Sequence, residues 1–205
     1  MCSGGVNSSA GRVQKNGTTY ALATSGKPPY TEKSWTTPGT YTFTVPQGVT
    51  RVRAAVCGGG GGGASAAHGA GAQQAGDGGT SSVGNLITAS GGGGGYGIIT
   101  SSWGEGTFKV GRGGNPNGVA GSTQGFALSF TKGVGSYGVG GSSYKNRSIG
   151  GSGGYASNYV NVKNGETITI KVGVGGIRKC GNTALEEYTT NGTHGFVLIA
   201  YGGDI

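Results

Sequence analysis

The residues of this chain that could do chemistry are few, and they do not stand at the spacings that catalysis needs. The only two histidines, His68 and His194, have no acidic or thiol residue at a recognisable motif distance. Cys57 with a distant histidine could form a nucleophile pair, but a cysteine at the end of an apolar strand is more often a small buried hydrophobe. The three cysteines form neither a CxxC pair nor an even disulfide framework. We therefore expect no catalytic residue, no metal site and no enzyme.

Glycine-rich motifs that bind cofactors are not indicated either. Residues 133–138 read GVGSYG and fit the dinucleotide fingerprint G-x-G-x-x-G, but no βαβ pattern surrounds them. The Gly26-Lys27 pair lacks the spacing and the following helix of a phosphate-binding loop, and Pro28 comes directly after it. We expect no cofactor.

Exposed aromatic and basic residues on short loops are the candidates for a binding site. Aromatic faces stack on sugars, and arginine and lysine bind carboxylates and phosphates. Loops of this composition suit recognition of a glycan or an outer-membrane protein on a cell surface. The alternative is that half of these residues merely plug the ends of the glycine-rich layer. The candidates are Tyr96, Trp103, Phe126, Phe130, Tyr137, Tyr144, Lys145, Arg147 and Tyr155.

The charge of the chain narrows the classes of partner. The formal net charge is +8, from 15 Lys and Arg against 7 Asp and Glu, which favours negatively charged surfaces. The basic residues are dispersed, so the sequence does not predict a nucleic-acid interface. No stretch approaches the ~20 apolar residues of a membrane span, and the N-terminus has no apolar region of a secretory signal. We expect neither membrane insertion nor export by such a signal.

Alternating apolar and polar residues predict the strands that must position these loops. Residues 40–45 and 50–57 flank a Pro-Gln-Gly turn, and residues 158–163 and 167–174 flank an Asn-Gly turn, so each pair predicts a β-hairpin. The segment 195–201 is apolar on both faces, which predicts a central strand. The predicted strands are 40–45, 50–57, 82–90, 158–163, 167–174 and 195–201. They predict an all-β fold with a β-sandwich or jelly-roll-like core and almost no helix.

Glycine is the most unusual feature of the composition, with 51 glycines among 205 residues. An ordered run such as Gly58 to Gly63 loses much backbone entropy and therefore needs a geometry that only glycine supplies. A polyproline-II-like glycine helix has three residues per turn and no internal hydrogen bonds, so its backbone groups point to neighbouring helices. The alternative, a flexible linker, is disfavoured by the aromatic residues between the glycine clusters. We expect glycine-rich segments of this polyglycine-II-like kind packed beside the sheets.

Four stretches together carry a resemblance to a known family. GTYTFTVPQGVTRVRAAVCGGGGGG, GGTSSVGNLITASGGGGG, NGETITIKVGVGG and GFVLIAY resemble the glycine-rich domain at the receptor-binding tips of bacteriophage tail fibres and in prophage tail proteins. The resemblance covers about residues 34–202. It implies a β-sandwich joined to packed polyglycine-II helices, with variable distal loops that touch the host receptor.

The resemblance also implies a function, partners and an organisation. The expected function is a non-enzymatic adhesin at the fibre tip in the virion; a purely structural virion or tail assembly protein is the alternative. An ice-binding or other ligand-binding module is a third possibility, disfavoured by the irregular aromatic loops. Residues 1–33 are expected to be an attachment segment or linker to other tail proteins, and residues 34–205 the tip domain. Fibre shafts are three-fold, which implies a homotrimer or a single adhesin that caps a trimeric shaft.

Overall fold

The computed structural model describes residues 12–15, 18–21 and 28–205. In this part of the chain most regular structure is β-strand in antiparallel sheets, and the only helices are two short 3₁₀ helices, Tyr144–Asn146 and Thr183–Tyr188. The all-β prediction is therefore confirmed. The strands are β1 (Arg12–Lys15), β2 (Thr18–Ala21), β3 (Thr31–Trp35), β4 (Gly39–Thr44), β5 (Arg51–Cys57), β6 (Ala64–Ser65), β7 (Gln73–Gln74), β8 (Ser81–Val83), β9 (Ile87–Ala89), β10 (Tyr96–Ile99), β11 (Gly106–Lys109), β12 (Tyr155–Asn161), β13 (Thr167–Val172), β14 (Lys179–Cys180) and β15 (Phe196–Tyr201).

Two four-stranded antiparallel sheets contain the longer strands. One has the order β12-β5-β15-β3 and the other the order β4-β13-β8-β9. All six residues of β15 are buried, and the strand lies between β5 and β3, so the prediction of a central last strand is confirmed. Smaller sheets have the orders β11-β10-β7, β14-β6 and β1-β2.

Both predicted hairpins are wrong, because each pair of consecutive strands is divided between the two large sheets. β4 pairs with β13, whereas β5 pairs with β12 and β15. The two turns lie side by side: the Val45 N–H donates to the Glu166 carbonyl, and the Gly165 N–H donates to the Val45 carbonyl. In a hairpin, both strands of each pair would lie in one sheet. In the structure, the turn carries the chain from one large sheet to the other, and the apolar faces of the two strands belong to two sheets that share a core.

The segment 82–90 is not a single strand but a tight pair, β8 and β9. Val83 lies opposite Ile87, and Ser81 lies opposite Ala89. Gly84 makes the turn with a φ of +52°, in the left-handed region that glycine tolerates and most other residues avoid. The apolar residues on either side of this glycine therefore fold back on each other.

The main core lies between the two large sheets. It follows from strand alternation, since every second residue of β13 and β5 points inward. Phe43 of β4 and Tyr201 of β15 make a ring contact at 5.7 Å between centroids, and Trp35 meets the edge of Phe43 at 6.1 Å. The largest fully buried members of this cluster are Phe43, Ile170, Ile199, Val45, Val52, Val56, Val83 and Val197.

A second apolar cluster lies on the opposite face of β5 and β15. It contains Ala55, Cys57, Phe196 and Leu198 from that face, covered by Phe126 and Tyr155. Phe130 and Tyr137 pack against it from outside. The sheet β12-β5-β15-β3 is therefore buried on both faces at this end, which accounts for the fully apolar sequence of β15.

Glycine-rich segments connect the strands and bind one another side by side. We call the following set the glycine bundle: 58–63, 76–79, 90–95, 111–114, 118–122, 138–142, 150–154, 173–177 and 190–193. Every N–H of Gly58 to Gly63 donates to a carbonyl of another segment of the bundle, at 2.9 to 3.1 Å. The donor and acceptor pairs are Gly58 to Gly154, Gly61 to Gly151, Gly59 to Gly79, Gly62 to Gly76, Gly60 to Thr193 and Gly63 to Thr190.

The partner segment of the central run changes with a period of three residues. Three antiparallel segments, 150–154, 76–79 and 190–193, accept its N–H groups in turn. Its carbonyls receive bonds from segments that run parallel to it: Gly92 and Gly95 donate to Gly59 and Gly62, Gly176 and Lys179 donate to Gly60 and Gly63, and Gly141 donates to Gly61. Among the described residues, six segments thus surround the Gly58 to Gly63 run.

The close approach of these segments excludes side chains from the central run. A Cβ added at any of Gly58 to Gly63 would lie less than 3.0 Å from a carbonyl oxygen of a neighbouring segment, a distance that real Cβ atoms essentially never reach. The run is therefore glycine because the neighbouring backbones leave no space for a side chain, and the hydrogen bonds offset the entropy that glycine loses.

The first strand of the large sheets begins before the expected domain boundary. Thr31 to Trp35 form β3, which pairs with β15 from Tyr201 to Val197. A division after residue 33 would pass through this strand. Residues 1–11, 16–17 and 22–27 lie outside the described part, so the role of the attachment segment stays a prediction. In the described part, no helix has the length and apolar character that crossing a membrane requires.

Candidate ligand-binding cleft

The directions of the glycine segments decide which loops meet. Segments 90–95, 138–142 and 173–177 run parallel to Gly58 to Gly63, and segments 76–79, 150–154 and 190–193 run antiparallel to it. The connections that follow the parallel segments therefore all emerge beyond Gly63. These connections are 64–75, 96–110, 143–149 and 178–189. The large sheets lie at the other end, where β5 leads directly into Gly58 and β12 follows Gly154.

The four connections at the Gly63 end enclose a cleft of about 350 Å³. Its walls combine aromatic, aliphatic and cationic side chains, and no carboxylate is among the described residues that line it. Its lining includes Ala64 to His68, Ile99, Trp103, Gly104, Phe108, Tyr144, Lys145, Arg147, Ser148, Asn182 and Leu185.

Each wall of the cleft belongs to a short regular element. Ile99 ends β10 and Phe108 lies on β11, and the turn between these two strands carries Trp103, which is 93% exposed. Tyr144 and Lys145 lie in the first 3₁₀ helix, and Leu185 lies in the second. The strands and helices are short because each one only closes a connection between two glycine segments.

The cationic side chains lie over aromatic rings. The Arg147 guanidinium carbon is 5.0 Å from the centre of the Phe108 ring, and Lys145 Nζ is 5.3 Å from that of Tyr144. These are cation-π distances, and stacking of this kind restrains the long side chains without using their N–H donors. Tyr144 also contacts Tyr188, at 5.4 Å between ring centres.

Buried hydroxyls fix the loop that carries Tyr144 and Arg147. The Ser65 hydroxyl accepts the Tyr144 N–H at 2.9 Å and lies 2.6 Å from the Thr189 hydroxyl. The Ser143 hydroxyl accepts the Ser148 N–H, and the Ser148 hydroxyl donates to a carbonyl of β10 at 2.7 Å. All four hydroxyl side chains are buried. The loop is thus tied directly to the connections 64–75 and 96–110, and through Ser65 to Thr189 of the connection 178–189, before any ligand binds.

Lys145 has an unusual backbone conformation. Its φ is +53°, and among the described residues only Asn117 shares a positive φ without being glycine. A residue with a long side chain adopts this region at a cost of the order of 1 kcal/mol or more, and such strain is concentrated at functional sites. The strained conformation therefore makes Lys145 a candidate functional residue of the cleft.

Two acidic residues near the cleft, Glu186 and Glu187, are engaged by neighbours, whereas Glu105, next to the lining residue Gly104, is exposed. Glu186 Oε2 accepts a hydrogen bond from Arg178 at 3.0 Å. Tyr188 interacts with Glu187, and that hydrogen bond raises the pKa of the Tyr188 hydroxyl. Lys145 and Arg147 therefore dominate the charge of the cleft walls.

Four of the nine candidate residues meet in this cleft: Trp103, Tyr144, Lys145 and Arg147. Tyr96 is half-buried beside it; its carbonyl accepts the Ser148 hydroxyl, and its ring lies 5.9 Å from Lys109 Nζ. A role of these residues in receptor binding stays a prediction.

The remaining four candidates belong to the second apolar cluster at the other end of the bundle. Phe126 and Tyr155 are 5% and 3% exposed, and their rings stack at 5.1 Å, so the prediction that they are exposed is wrong. Phe130 and Tyr137 are half-buried; Arg53 lies over Phe130, and Tyr137 meets the edge of Phe196. The reason is that Ala55 and Cys57 leave this face of the sheet shallow, and the space is filled by Tyr155 at the start of β12 and by aromatic side chains from the loops.

The sequence reasoning missed Phe108, Ile99, Asn182 and Leu185 as cleft residues. Periodicity could not find them because the short elements that carry them have no clear apolar pattern. Chain order offers a signal: loops that follow parallel glycine segments emerge at one end of the bundle. The sequence alone did not reveal which segments are parallel.

Two of the cysteine and histidine side chains singled out in the sequence, Cys57 and His194, are buried or hydrogen-bonded to the backbone. Cys57 is fully buried, and burial raises the pKa of its thiol to about 12, which disfavours the reactive thiolate near neutral pH. His194 Nδ1 accepts the Gly175 N–H at 3.0 Å, which ties the residues just before β15 to the glycine segment 173–177. Within the described residues, no group of three or more His, Cys, Asp or Glu could hold a metal ion. The cleft offers a ligand aromatic faces and cationic N–H donors.

Comparison of the chain with protein-family descriptions, with curated proteins and with solved structures gives no match.

Proposed function

We propose that this protein is a host-recognition adhesin at the tip of a bacteriophage tail fibre. The observation that carries the proposal is the position of the cleft, which lies at the free end of a hydrogen-bonded glycine bundle, with the large sheets at the opposite end. Aromatic and cationic side chains gathered at the far end of a rigid support suit the recognition of a cell-surface receptor.

We also propose that the architecture is a β-sandwich joined to a bundle of polyglycine-II helices. Two four-stranded sheets contribute to one apolar cluster, which supports the sandwich. The hydrogen-bond partners of Gly58 to Gly63 repeat every third residue, as expected of a helix with three residues per turn. Six neighbours around one such helix correspond to hexagonal packing.

The proposed architecture separates stability from recognition. The glycine segments bind one another through backbone groups, so residues in the connections can change without disturbing those bonds. The connections at the Gly63 end are tied by buried hydroxyls, which limits the entropy that a ligand must remove on binding. A tip of this design can present different loops to different receptors.

Attachment to the rest of the particle would take place at the sheet end. The N-terminal segment enters the sheet β12-β5-β15-β3 through β3, away from the cleft. We propose that this segment joins the domain to other tail proteins. The tip protein would then be either a homotrimer or a single cap on a trimeric shaft.

Binding of the purified protein to whole bacterial cells tests the function. Fluorescently labelled protein is mixed with a panel of bacterial strains, and bound protein is measured by flow cytometry. We expect saturable binding to some strains, reduced at least about tenfold by Trp103→Ala or Tyr144→Ala. Tyr30→Ala is the matched control, because Tyr30 is an exposed tyrosine beside β3 at the sheet end.

Two results would count against the adhesin. If the cleft variants and the Tyr30 variant reduce cell binding equally, the cleft is not the receptor-binding site. Absence of binding to every strain, together with incorporation of the protein into tail particles, would favour the alternative of a structural virion or tail assembly protein.

A further inference from the structure

We propose that the cleft at the Gly63 end binds a sugar unit that carries an anionic group, a carboxylate or a phosphate, with Arg147 and Lys145 on the charge and Trp103 and Tyr144 on the ring. This inference deepens the proposed function, on which its biological meaning rests, by naming the class of receptor group. It is carried by the charge, size and chemistry of the cleft walls.

The charge of the walls is one-sided. Lys145 and Arg147 line the cleft, and no carboxylate does so among the described residues. Glu186 and Glu187, which are close in sequence to the lining residue Leu185, are engaged with Arg178 and Tyr188. Glu105 is exposed and follows the lining residue Gly104, but it is not itself among the residues that line the cleft. An anion in the cleft would therefore meet two cations and no lining carboxylate among the described residues, which is the electrostatic complementarity that selects a charged ligand.

The geometry of Arg147 suits a planar or tetrahedral anion. Its guanidinium lies over Phe108, so one face is occupied by the ring while the N–H edges stay available. Arginine held in this way donates two parallel hydrogen bonds to a carboxylate or a phosphate. Lys145, which has a left-handed backbone conformation and also lines the cleft, adds a second cationic donor.

The aromatic walls suit a sugar ring. Trp103 is almost completely exposed at the rim, and Tyr144 is partly exposed beside Lys145. A pyranose ring presents C–H groups on one face and hydroxyls around its edge, which match an aromatic face with polar groups next to it. His68, Asn182 and Ser65 also line the cleft and offer hydrogen-bond partners to hydroxyls.

The size of the cleft favours a sugar over a protein loop. Its volume of about 350 Å³ is at the lower end of the range of about 300 to 1,000 Å³ that is usual for small-molecule sites. A protein receptor normally needs about 800 Å² of contact on each partner, well beyond the walls of this cleft. A protein receptor is therefore an outcome of the test and not the proposal.

Isothermal titration calorimetry with the full chain tests the inference. The probes are trigalacturonic acid and sialyllactose as carboxylated sugars, mannose 6-phosphate as a phosphorylated sugar, and maltotriose as a neutral sugar. We expect at least one acidic probe to bind at least about tenfold more tightly than maltotriose at low salt, with the difference reduced in 0.5 M NaCl. The carboxylated and phosphorylated probes show which anion the site prefers.

Charge-neutral variants locate the binding. Arg147→Gln and Lys145→Gln should each weaken the acidic probe by about five- to tenfold and leave maltotriose unchanged. Lys171→Gln removes the same charge from an exposed position of β13 in the large sheets, so it should leave all probes unchanged. Thermal melting of every variant verifies that the fold is kept.

The inference is overturned if no acidic probe binds more tightly than maltotriose, or if Lys171→Gln weakens binding as much as Arg147→Gln. Its failure is distinguishable from failure of the adhesin proposal. Cell binding that Trp103→Ala abolishes but Arg147→Gln and Lys145→Gln leave intact would retain the adhesin and overturn the anionic sugar, in favour of a neutral glycan or a protein receptor. Binding of an acidic probe without binding to any cell would retain the anionic-sugar site and overturn the adhesin proposal.

Discussion

Cys57 illustrates how burial decides the chemistry of a single residue. The thiol lies in the second apolar cluster, and loss of water around the thiolate raises its pKa to about 12. At pH 8 the thiolate is then only about one part in ten thousand of the total, and the thiolate is the reactive form.

We therefore predict that Cys57 resists alkylation in the folded protein. Native protein treated with iodoacetamide at pH 8 should be labelled at the partly exposed Cys180 and not at Cys57, by peptide mass spectrometry. Protein unfolded in guanidinium should be labelled at both. Labelling of Cys57 as fast as Cys180 in the native protein would show that the Cys57 thiol is accessible and not buried.

Tyr155 and Trp103 should differ sharply in their contribution to stability, although both are loop-associated aromatics in the sequence. Tyr155→Ala removes a buried ring that contacts Phe126 and Phe196, which should lower the free energy of unfolding by about 3 to 5 kcal/mol. Trp103→Ala changes an exposed ring and should stay within about 0.5 kcal/mol of the wild type. Urea unfolding followed by tyrosine fluorescence or circular dichroism measures both. Equal effects would contradict the division of the aromatics between the cluster and the cleft.

Among the structural elements of this protein, the glycine segments depend most on one another. The central run donates and accepts hydrogen bonds with six neighbouring segments among the described residues, and none of these bonds is within the run itself. Each segment is therefore stable only in the presence of the others. This distinguishes the bundle from an α-helix, whose bonds are local, and from a sheet, in which a strand has two neighbours.

Substitution of central glycines by alanine should destabilise the protein. A Cβ at Gly60, Gly61 or Gly62 would meet the carbonyls of Val139, Gly93 or Ile177 at less than 3.0 Å, so the segments must separate. We expect a loss of about 1 to 3 kcal/mol or more for each variant, observed as a lower melting temperature.

Gly133 provides the matched control for these variants. A Cβ at Gly133 meets no atom within 4 Å, and no left-handed φ is present there. Gly133→Ala should therefore leave stability unchanged or raise it by about 0.4 to 1 kcal/mol, because alanine reduces the entropy of the unfolded chain. If Gly60→Ala, Gly61→Ala and Gly62→Ala behave like Gly133→Ala, the close packing of the central run is wrong.

At the scale of the whole molecule, the sheets and the bundle are joined by the same strands. β5, β12, β13 and β15 each continue directly into a glycine segment or follow one closely. The buried hydrogen bond from the Gly173 N–H to the Ser81 hydroxyl connects the end of β13 to the start of β8, which follows the glycine segment 76–79. The domain therefore positions its cleft relative to its sheets through many short connections and not through one hinge.

Deletion of N-terminal residues tests where the domain begins. Removal of residues 1–27 leaves β3 complete, and the melting temperature should change little. Removal of residues 1–36 also removes β3, which exposes one edge of the buried strand β15, and should lower the melting temperature or cause aggregation. Equal stability of the two deletions would show that β3 contributes nothing to the sheet.

The same deletion of residues 1–27 addresses the oligomeric state. If the N-terminal segment joins three copies, light scattering should give a trimer for the full chain and a monomer for the shortened one. A monomer in both cases would refute the homotrimer and leave the single cap.

The sequence by itself determined the all-β class, the central position of β15 and the requirement for glycine between residues 58 and 63. These follow from local rules: apolar alternation marks strands, an apolar strand is buried on both faces, and an ordered glycine run implies close backbone contact.

Only the tertiary structure decided which elements pair and which loops meet. β4 and β5 read as a hairpin because a turn joins two alternating strands, but turn residues do not fix whether the next strand stays in the same sheet. Phe126 and Trp103 occur in similar glycine-rich loops, and their burial depends on the directions of segments that are distant in sequence. The hydrogen bonds that set those directions are non-local, and identical glycines carry no side chain to specify a partner.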